Sequence, residues 1–186
     1  MYIENFINET ELWQAYESVF ISAPTGYGKT TFVLNCLLPQ AKKSGKEVLF
    51  LSNRYLLKEQ IKVKVAQSQG IDVGGVDWIE NVEEYDSITI MTYQKLQILC
   101  RENSKLADEF AKRYKFVVYD EVHYIFADSG FNPEILFLLK FIKEYSGIGV
   151  FLSATMEGIP DFIKELKYED ELVPNSKIKI TTFLTI

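Results

Sequence analysis

A lysine and a threonine follow directly on two closely spaced glycines in Ala23-Pro24-Thr25-Gly26-Tyr27-Gly28-Lys29-Thr30-Thr31. Residue types in this order suit the capture of phosphate. Gly26 and Gly28 carry no Cβ, so the backbone can curl around an anion and aim several N–H groups at it. A helix read from Thr30 onward adds the positive end of its dipole. Lys29 is a mobile point charge able to reach terminal phosphates, and the Thr30 hydroxyl is placed to ligate Mg2+. Pro24 stiffens the entry to the loop by fixing φ. The spacing Ala23-x-x-x-x-Gly28-Lys29-Thr30 is the P-loop pattern, with Ala at the position where a first Gly often stands.

Farther along, Phe116-Val117-Val118-Tyr119 is an apolar run that ends in Asp120-Glu121-Val122-His123. A strand of this kind delivers two adjacent carboxylates to one edge of a sheet. Asp120 is then placed to hold Mg2+ beside Thr30, and Glu121 to orient and deprotonate an attacking water. On its own, an Asp-Glu pair reads as a solvated turn; the P-loop upstream gives it a partner. His123, the single histidine of the chain, fits a hydrogen bond toward a γ-phosphate, a bond toward the Ser153-Ala154-Thr155 segment, or a purely structural place. No second His and no Cys cluster supports a metal-binding role for it.

These groups need a scaffold that brings distant segments together. Ser18–Ser22, Glu47–Ser52, Ser87–Met91, Phe116–Tyr119 and Gly149–Leu152 read as strands, and the stretches between them carry apolar residues at helical spacing. Alternation of this kind predicts an α/β domain with a mainly parallel sheet and right-handed crossovers. Ligands in such sheets bind beyond the carboxyl ends of the strands, where the polar clusters of this sequence fall. Between the strands, helices are expected over Thr31–Lys43, which Pro39 ends or kinks, and in the stretches beginning at Asn53, Thr92, Lys105, Pro133 and Pro160. Glu9–Glu17 reads as a short helix capped by Asn8 or Thr10. Nearby, Phe6, Trp13 and Tyr16 fit either an adenine stack or plugs against the sheet. Lys177–Phe183 alternates like an edge or connecting strand.

Composition narrows the class. The 186 residues match one ordinary domain, and a hydrophobic share of 47% is enough for a full core. A net charge of −6 argues against a module held on nucleic acid by bulk charge, while leaving room for a local basic groove. The two cysteines, Cys36 and Cys100, have no metal spacing and read as buried hydrophobes rather than a disulfide. No basic leader precedes the acidic N-terminus and no apolar run reaches membrane-span length, so a cytoplasmic protein without a membrane partner is expected.

Taken together, these segments resemble the first motor domain of DExH-type superfamily 2 helicases. APTGYGKT is similar to motif I, SNRYLLKEQ to motif Ia, ITIMTYQKL to the Thr-Tyr-Gln segment of that superfamily, DEVH to motif II and SAT to motif III. The resemblance covers residues 19–156. It implies a three-layer RecA-like P-loop fold over 1–186 and ATP hydrolysis coupled to movement on DNA or RNA. By this resemblance Pro24 through Thr31 and His123 surround the nucleotide, Thr30 and Asp120 hold Mg2+, and Lys29, Asp120 and Glu121 serve hydrolysis. Arg54, Thr92 and Gln94 lie along the nucleic-acid backbone, and Ser153 and Thr155 couple the two activities. Each also has a plain structural reading: a surface ion pair for Arg54, a helix cap for Thr92, a turn cap for Ser153 and Thr155.

Two departures from the family pattern stand out. Nothing after Thr155 matches the second motor domain, whose arginine finger is implied to come in cis or in trans. Gln14 lies too close to Ala23 to serve as the family's adenine-reading Gln. Two rival readings follow. In one, the chain is a nucleotide-gated binding module without unwinding activity; Asp120 and Glu121 argue against it. In the other it is a small-molecule P-loop kinase, but no Arg lies between Arg54 and Arg101 or after Arg113 to arm a lid.

Overall fold

A computed structural model describes residues 10–53, 62–67, 70, 84–85, 87–127, 133–168 and 178–180. Its strands are β1 (Ser18–Ser22), β2 (Glu47–Ser52), β3 (Glu84–Tyr85), β4 (Ile88–Thr92), β5 (Tyr114–Asp120), β6 (Ile148–Ser153) and β7 (Ile178–Ile180). They form one seven-stranded sheet in the order β3-β4-β2-β5-β6-β1-β7. All neighbours run parallel except β3, which pairs antiparallel with β4 at the edge. From β2 the chain moves outward to β3 and β4, then returns to insert β5 and β6 between β2 and β1. This return sets the carboxyl end of β6 between those of β1 and β5.

Both faces of the sheet are covered, which explains why its strands are continuous apolar runs rather than alternating ones. On one face Val19, Ile21, Val48, Phe50, Phe116 and Val150 pack on Phe32, Val33 and Leu37 of the helix after the P-loop. On the other, Phe20, Leu49, Leu51, Val117, Tyr119 and Phe151 meet helices α2 (Tyr93–Glu102), α3 (Leu106–Arg113), α5 (Ile135–Glu144) and α6 (Ile159–Tyr168). A short α4 (His123–Ala127) follows the end of β5. Residues 62–67 are helical, within the stretch expected to form a helix after Asn53.

An aromatic ladder fixes the register of the central strands. Phe20, Phe151 and Tyr119 are direct cross-strand partners on β1, β6 and β5. Phe20 and Phe151 stack at 4.9 Å between centroids and Phe151 and Tyr119 at 4.6 Å. Each contact is worth about 0.5–1.5 kcal/mol beyond area burial. A slip by one residue would turn all three rings to the opposite face. The same register sets Ser22 beside Ser153, and Leu152 beside Asp120.

Several sequence expectations need correction. The helix expected over Glu9–Glu17 is a single 3-10 turn, Thr10–Leu12. The chain cannot continue helically because Tyr16 adopts φ 68 and its amide bonds back to Ser146 and Gly147. Trp13 is a plug, packed 6.4 Å from the rings of Phe32 and Phe116, not an exposed platform for a base. Phe6 and Asn8 lie outside the described residues. Pro39 does not end its helix, here α1, which runs through Lys29–Phe32, a π-helical Val33–Leu37 and Leu38–Lys43. In the π turn the Leu38 amide bonds to Val33 O, five residues back. The wider turn accommodates a proline that has no N–H to give and whose ring would crowd the preceding carbonyls. The Lys177–Phe183 strand is present as β7, next to β1, over Ile178–Ile180.

Candidate functional site

The loop after β1 is shaped by its glycines. Gly26 and Gly28 sit at φ 88 and 85, in the left-handed region that glycine enters without a Cβ penalty. The Tyr27 amide closes a turn on Pro24 O, and the Phe32 amide starts α1 by bonding Gly28 O. Gly28 caps α1 without a side-chain hydrogen bond, so the opening amides of the helix keep their capacity for an anion. Pro24, Thr25, Gly26 and Thr31 are exposed, while Tyr27, Gly28, Lys29 and Thr30 are half-buried. The loop is anchored to the next strand by the Ala23 amide, which bonds Ser153 O at 2.9 Å.

Lys29 does not point into solvent. Its ammonium donates to the carboxylate of Glu121, at the end of β5, and both side chains are largely shielded. Glu121 itself has φ 52, a backbone conformation that non-glycine residues seldom adopt. The turn is held by Val122 N bonding Leu152 O at 3.1 Å and by Tyr124 N bonding Glu121 O. These bonds turn the strand into α4 and aim the Glu121 carboxylate back across the sheet edge. Strain of this kind persists where neighbouring structure dictates it, and it gathers at functional sites.

From Glu121 a polar chain runs to β6. His123 Nδ1 lies 3.4 Å from Glu121 Oε2 and 2.7 Å from Ser153 Oγ. Ser153 Oγ in turn accepts the Thr155 amide at 3.2 Å. Among the sequence readings of His123, the bond toward the Ser-Ala-Thr segment is present. Ser153 also caps the turn that leads to Thr155, so its structural reading and its link to the Asp-Glu pair hold together.

Asp120 is buried, 6% exposed, and its Oδ1 has no hydrogen-bond partner among the described residues. Burial pushes its carboxyl up to about 6; Lys29 opposes that rise, Glu121 adds to it, and a backbone bond lowers it slightly. An orphaned, desolvated carboxylate oxygen beside a phosphate cradle suits a hard cation.

On the other side of Asp120, β4 delivers Thr92, Tyr93 and Gln94. Thr92 is a helix cap, its Oγ1 accepting the Lys95 amide at 3.2 Å. Gln94 is exposed on the first turn of α2. Tyr93, which the sequence reading left without a role, is buried and donates its phenol to Asp120 O at 2.8 Å. An aromatic residue directly after an apolar strand reads as core, and only the fold shows where its hydroxyl ends. Arg54 lies outside the described residues. Cys36 and Cys100 are not joined in a disulfide; Cys100 is buried as expected, Cys36 only partly so, and burial raises the Cys100 thiol to about 12. No group of three His, Cys, Asp or Glu able to hold a metal occurs among the described residues. Nor is any described helix long and apolar enough to cross a membrane.

Comparison with known proteins bears on this arrangement. The chain is similar to the crystal structure of a hypothetical ATP-dependent RNA helicase from Sulfolobus tokodaii, with a TM-score of 0.52 and 18% identity over 89% of this chain. The match covers 48% of the other chain, so the present sequence spans about half its length. At this identity the likeness shows a shared fold, that of a RecA-like helicase domain. No curated protein matches the sequence. The family model described as DEAD/DEAH box helicase matches residues 5–162, from the segment before β1 to the start of α6. A match over most of the sequence, on this fold, settles the family: the chain belongs to the DEAD/DEAH box helicases, which use ATP to act on nucleic acid.

Proposed function

We propose that the chain is the ATP-hydrolysing motor domain of a DExH-type DNA or RNA helicase or translocase, its chemistry shared between the P-loop and Asp120–His123. The observation that carries this reading is the bond from Lys29 to Glu121. It sets the phosphate-reaching cation and the water-activating carboxylate within one contact of each other, on elements 92 residues apart. Pro24 through Thr31 wrap the phosphates. Lys29 leaves Glu121 for the terminal phosphates when nucleotide enters, and Glu121 is then free to orient a water and accept its proton. His123 and Ser153 hold the Glu121 carboxylate in place, and Thr155 connects that chain to the loop after β6.

Thr30 and Asp120, whose Oδ1 has no hydrogen-bond partner among the described residues, would hold Mg2+, which when bound neutralises phosphate charge. Thr92, Gln94 and Arg54 are proposed contacts to the sugar-phosphate backbone. A second RecA-like domain, in cis or in trans, is proposed to supply an arginine finger. The setting proposed is the cytoplasm.

ATPase assays of this chain with and without single-stranded DNA or RNA test the proposal, with Lys29→Ala and Glu121→Gln as controls. Stimulation by one polymer, lost in both variants, is expected. Nucleotide-dependent grip on the polymer without turnover would instead favour a nucleotide-gated binding module.

A further inference from the structure

Tyr93 joins the β4–α2 segment to the Asp120–Glu121 turn by a hydrogen bond, its phenol donating to Asp120 O at 2.8 Å. Its backbone lies between Thr92, the cap of α2, and the exposed Gln94. In the sheet, β2 stands between β4 and β5, so the Tyr93 phenol reaches across the carboxyl end of β2 to its acceptor. The ladder between β2 and β5 stops at the pair Leu51–Tyr119. Asp120 is therefore one residue beyond the last position paired with β2, while still paired with Leu152 of β6, and its carbonyl accepts the Tyr93 phenol.

The acceptor also has mechanical meaning. Asp120 C=O and Glu121 N belong to one rigid peptide plane. Any rotation of that plane changes φ of Glu121, which already stands at 52, and with it the aim of the Glu121 carboxylate. The Tyr93 ring is 4% exposed, and a buried phenol has few alternative partners. Tyr93 also lines a small cleft with Asn53, Gln94, Gln97 and Tyr124, on the side where Gln94 faces solvent.

We infer that Tyr93 is a positioning residue: through its bond to Asp120 O it transmits occupancy of the α2 N-terminus by nucleic acid to the peptide that sets Glu121. The inference rests on the function proposed above. When a backbone phosphate or sugar draws on Thr92 and Gln94, the first turn of α2 shifts, and the phenol carries that shift to the carboxylate turn. The link is reciprocal, so nucleotide in the P-loop must also change the grip on the polymer.

The test compares nucleotide affinity with and without a saturating single-stranded oligonucleotide, using a non-hydrolysable ATP analogue with Mg2+ and, in separate runs, oligo(dT) and oligo(U). In the unaltered chain one polymer is expected to tighten nucleotide binding roughly fivefold or more. Tyr93→Phe removes the hydroxyl alone and should bring this factor toward one, leaving each ligand's separate affinity nearly unchanged. Tyr145→Phe is the matched control. Its hydroxyl also bonds a β5 carbonyl, Tyr114 O at 2.9 Å, but at the opposite end of the strand. That variant loses the same kind of bond and should keep the coupling.

Coupling retained in Tyr93→Phe, or lost equally in both variants, overturns the inference. So does independent binding of the two ligands to the unaltered chain. Absence of nucleotide binding in the unaltered chain would instead overturn the parent proposal. Should Tyr93→Phe not fold, hydrogen exchange at the Val122 amide decides: a change on adding the oligonucleotide supports the link, and no change refutes it.

Discussion

Lys29 and Glu121, one on the P-loop and one at the end of β5, neutralise each other at the mouth of the sheet. On the proposed function, nucleotide competes with Glu121 for the lysine. A partly shielded pair worth about 1 kcal/mol corresponds to roughly a fivefold loss of affinity. Glu121→Gln should therefore bind nucleotide several-fold more tightly while turnover falls by about 100-fold or more. Titration with a fluorescent nucleotide and phosphate-release assays check both halves. Looser binding in this variant would show that Glu121 does not restrain the lysine.

Ser153 serves His123 and the Thr155 amide with one hydroxyl. It is fully buried, so Ser153→Ala leaves both partners short of a bond. A stability loss of about 1–2 kcal/mol is expected. Turnover should drop about tenfold, the rate equivalent of roughly 1.4 kcal/mol, with nucleotide affinity almost intact. Thermal melts and steady-state kinetics separate the two effects. A loss of affinity with unchanged turnover would place Ser153 in binding rather than in the alignment of Glu121.

Gly26 has φ 88, and a Cβ built on it meets nothing within 4 Å. The protein itself leaves room for a side chain there, so the cost of Gly26→Ala to the folded chain is conformational, about 1–2 kcal/mol. The space it intrudes on is the concavity of the loop. Nucleotide affinity should suffer beyond what the melt explains, and equal nucleotide affinity in the two proteins would mean that the phosphates bind elsewhere.

Lys167, on α6, is buried with its ammonium 3.5 Å from Tyr16 O, and desolvation lowers its pKa to about 8. The unfolded chain holds this proton up to the ordinary lysine range. Below about pH 8 both states carry the charge and the full burial cost is present. Between about 8 and 10.5 the unfolded chain binds more protons, so stability rises with pH, by up to roughly 3 kcal/mol from this group. Lys167→Met should be the more stable protein at pH 7, and the difference between the two should shrink as the pH approaches 10. Melting temperatures across that range check it; a constant difference would show that Lys167 stays charged in the fold.

The placement of the candidate site residues was readable because each is tied to a local pattern. Gly26, Gly28, Lys29 and Thr30 follow one strand, Asp120 and Glu121 another, and the parallel sheet forces both to the same edge. Three things escaped the linear reading. The Tyr93 phenol acts across 27 residues, and spacing carries no information about such a bond. The left-handed Glu121 is imposed by β6, since the Val122 amide is held by Leu152 O. The edge strand β3 is two residues long, too short for any periodicity to mark. The N-terminal helix failed for a similar reason: its residues favour helix locally, while Ser146 and Gly147 hold Tyr16 in another conformation.

The π turn in α1 has a bearing on how this helix could change. Phe32 and Leu37 are five residues apart yet both face the sheet, which a regular α-helix would not allow at about 100° per residue. The turn is in effect one inserted residue that resets the phase of the helix. Its first turn answers to the phosphate loop and its last to the packing of Leu38 and Ala41, and the two demands are out of step. Straightening the helix without removing a residue would rotate its far half by about 100° and carry Leu38 and Ala41 away from the apolar layer, whereas removing one residue from Val33–Leu37 would leave a regular helix with the same faces buried. The turn works as a slip joint, letting the loop keep its geometry while the rest of the helix follows the sheet.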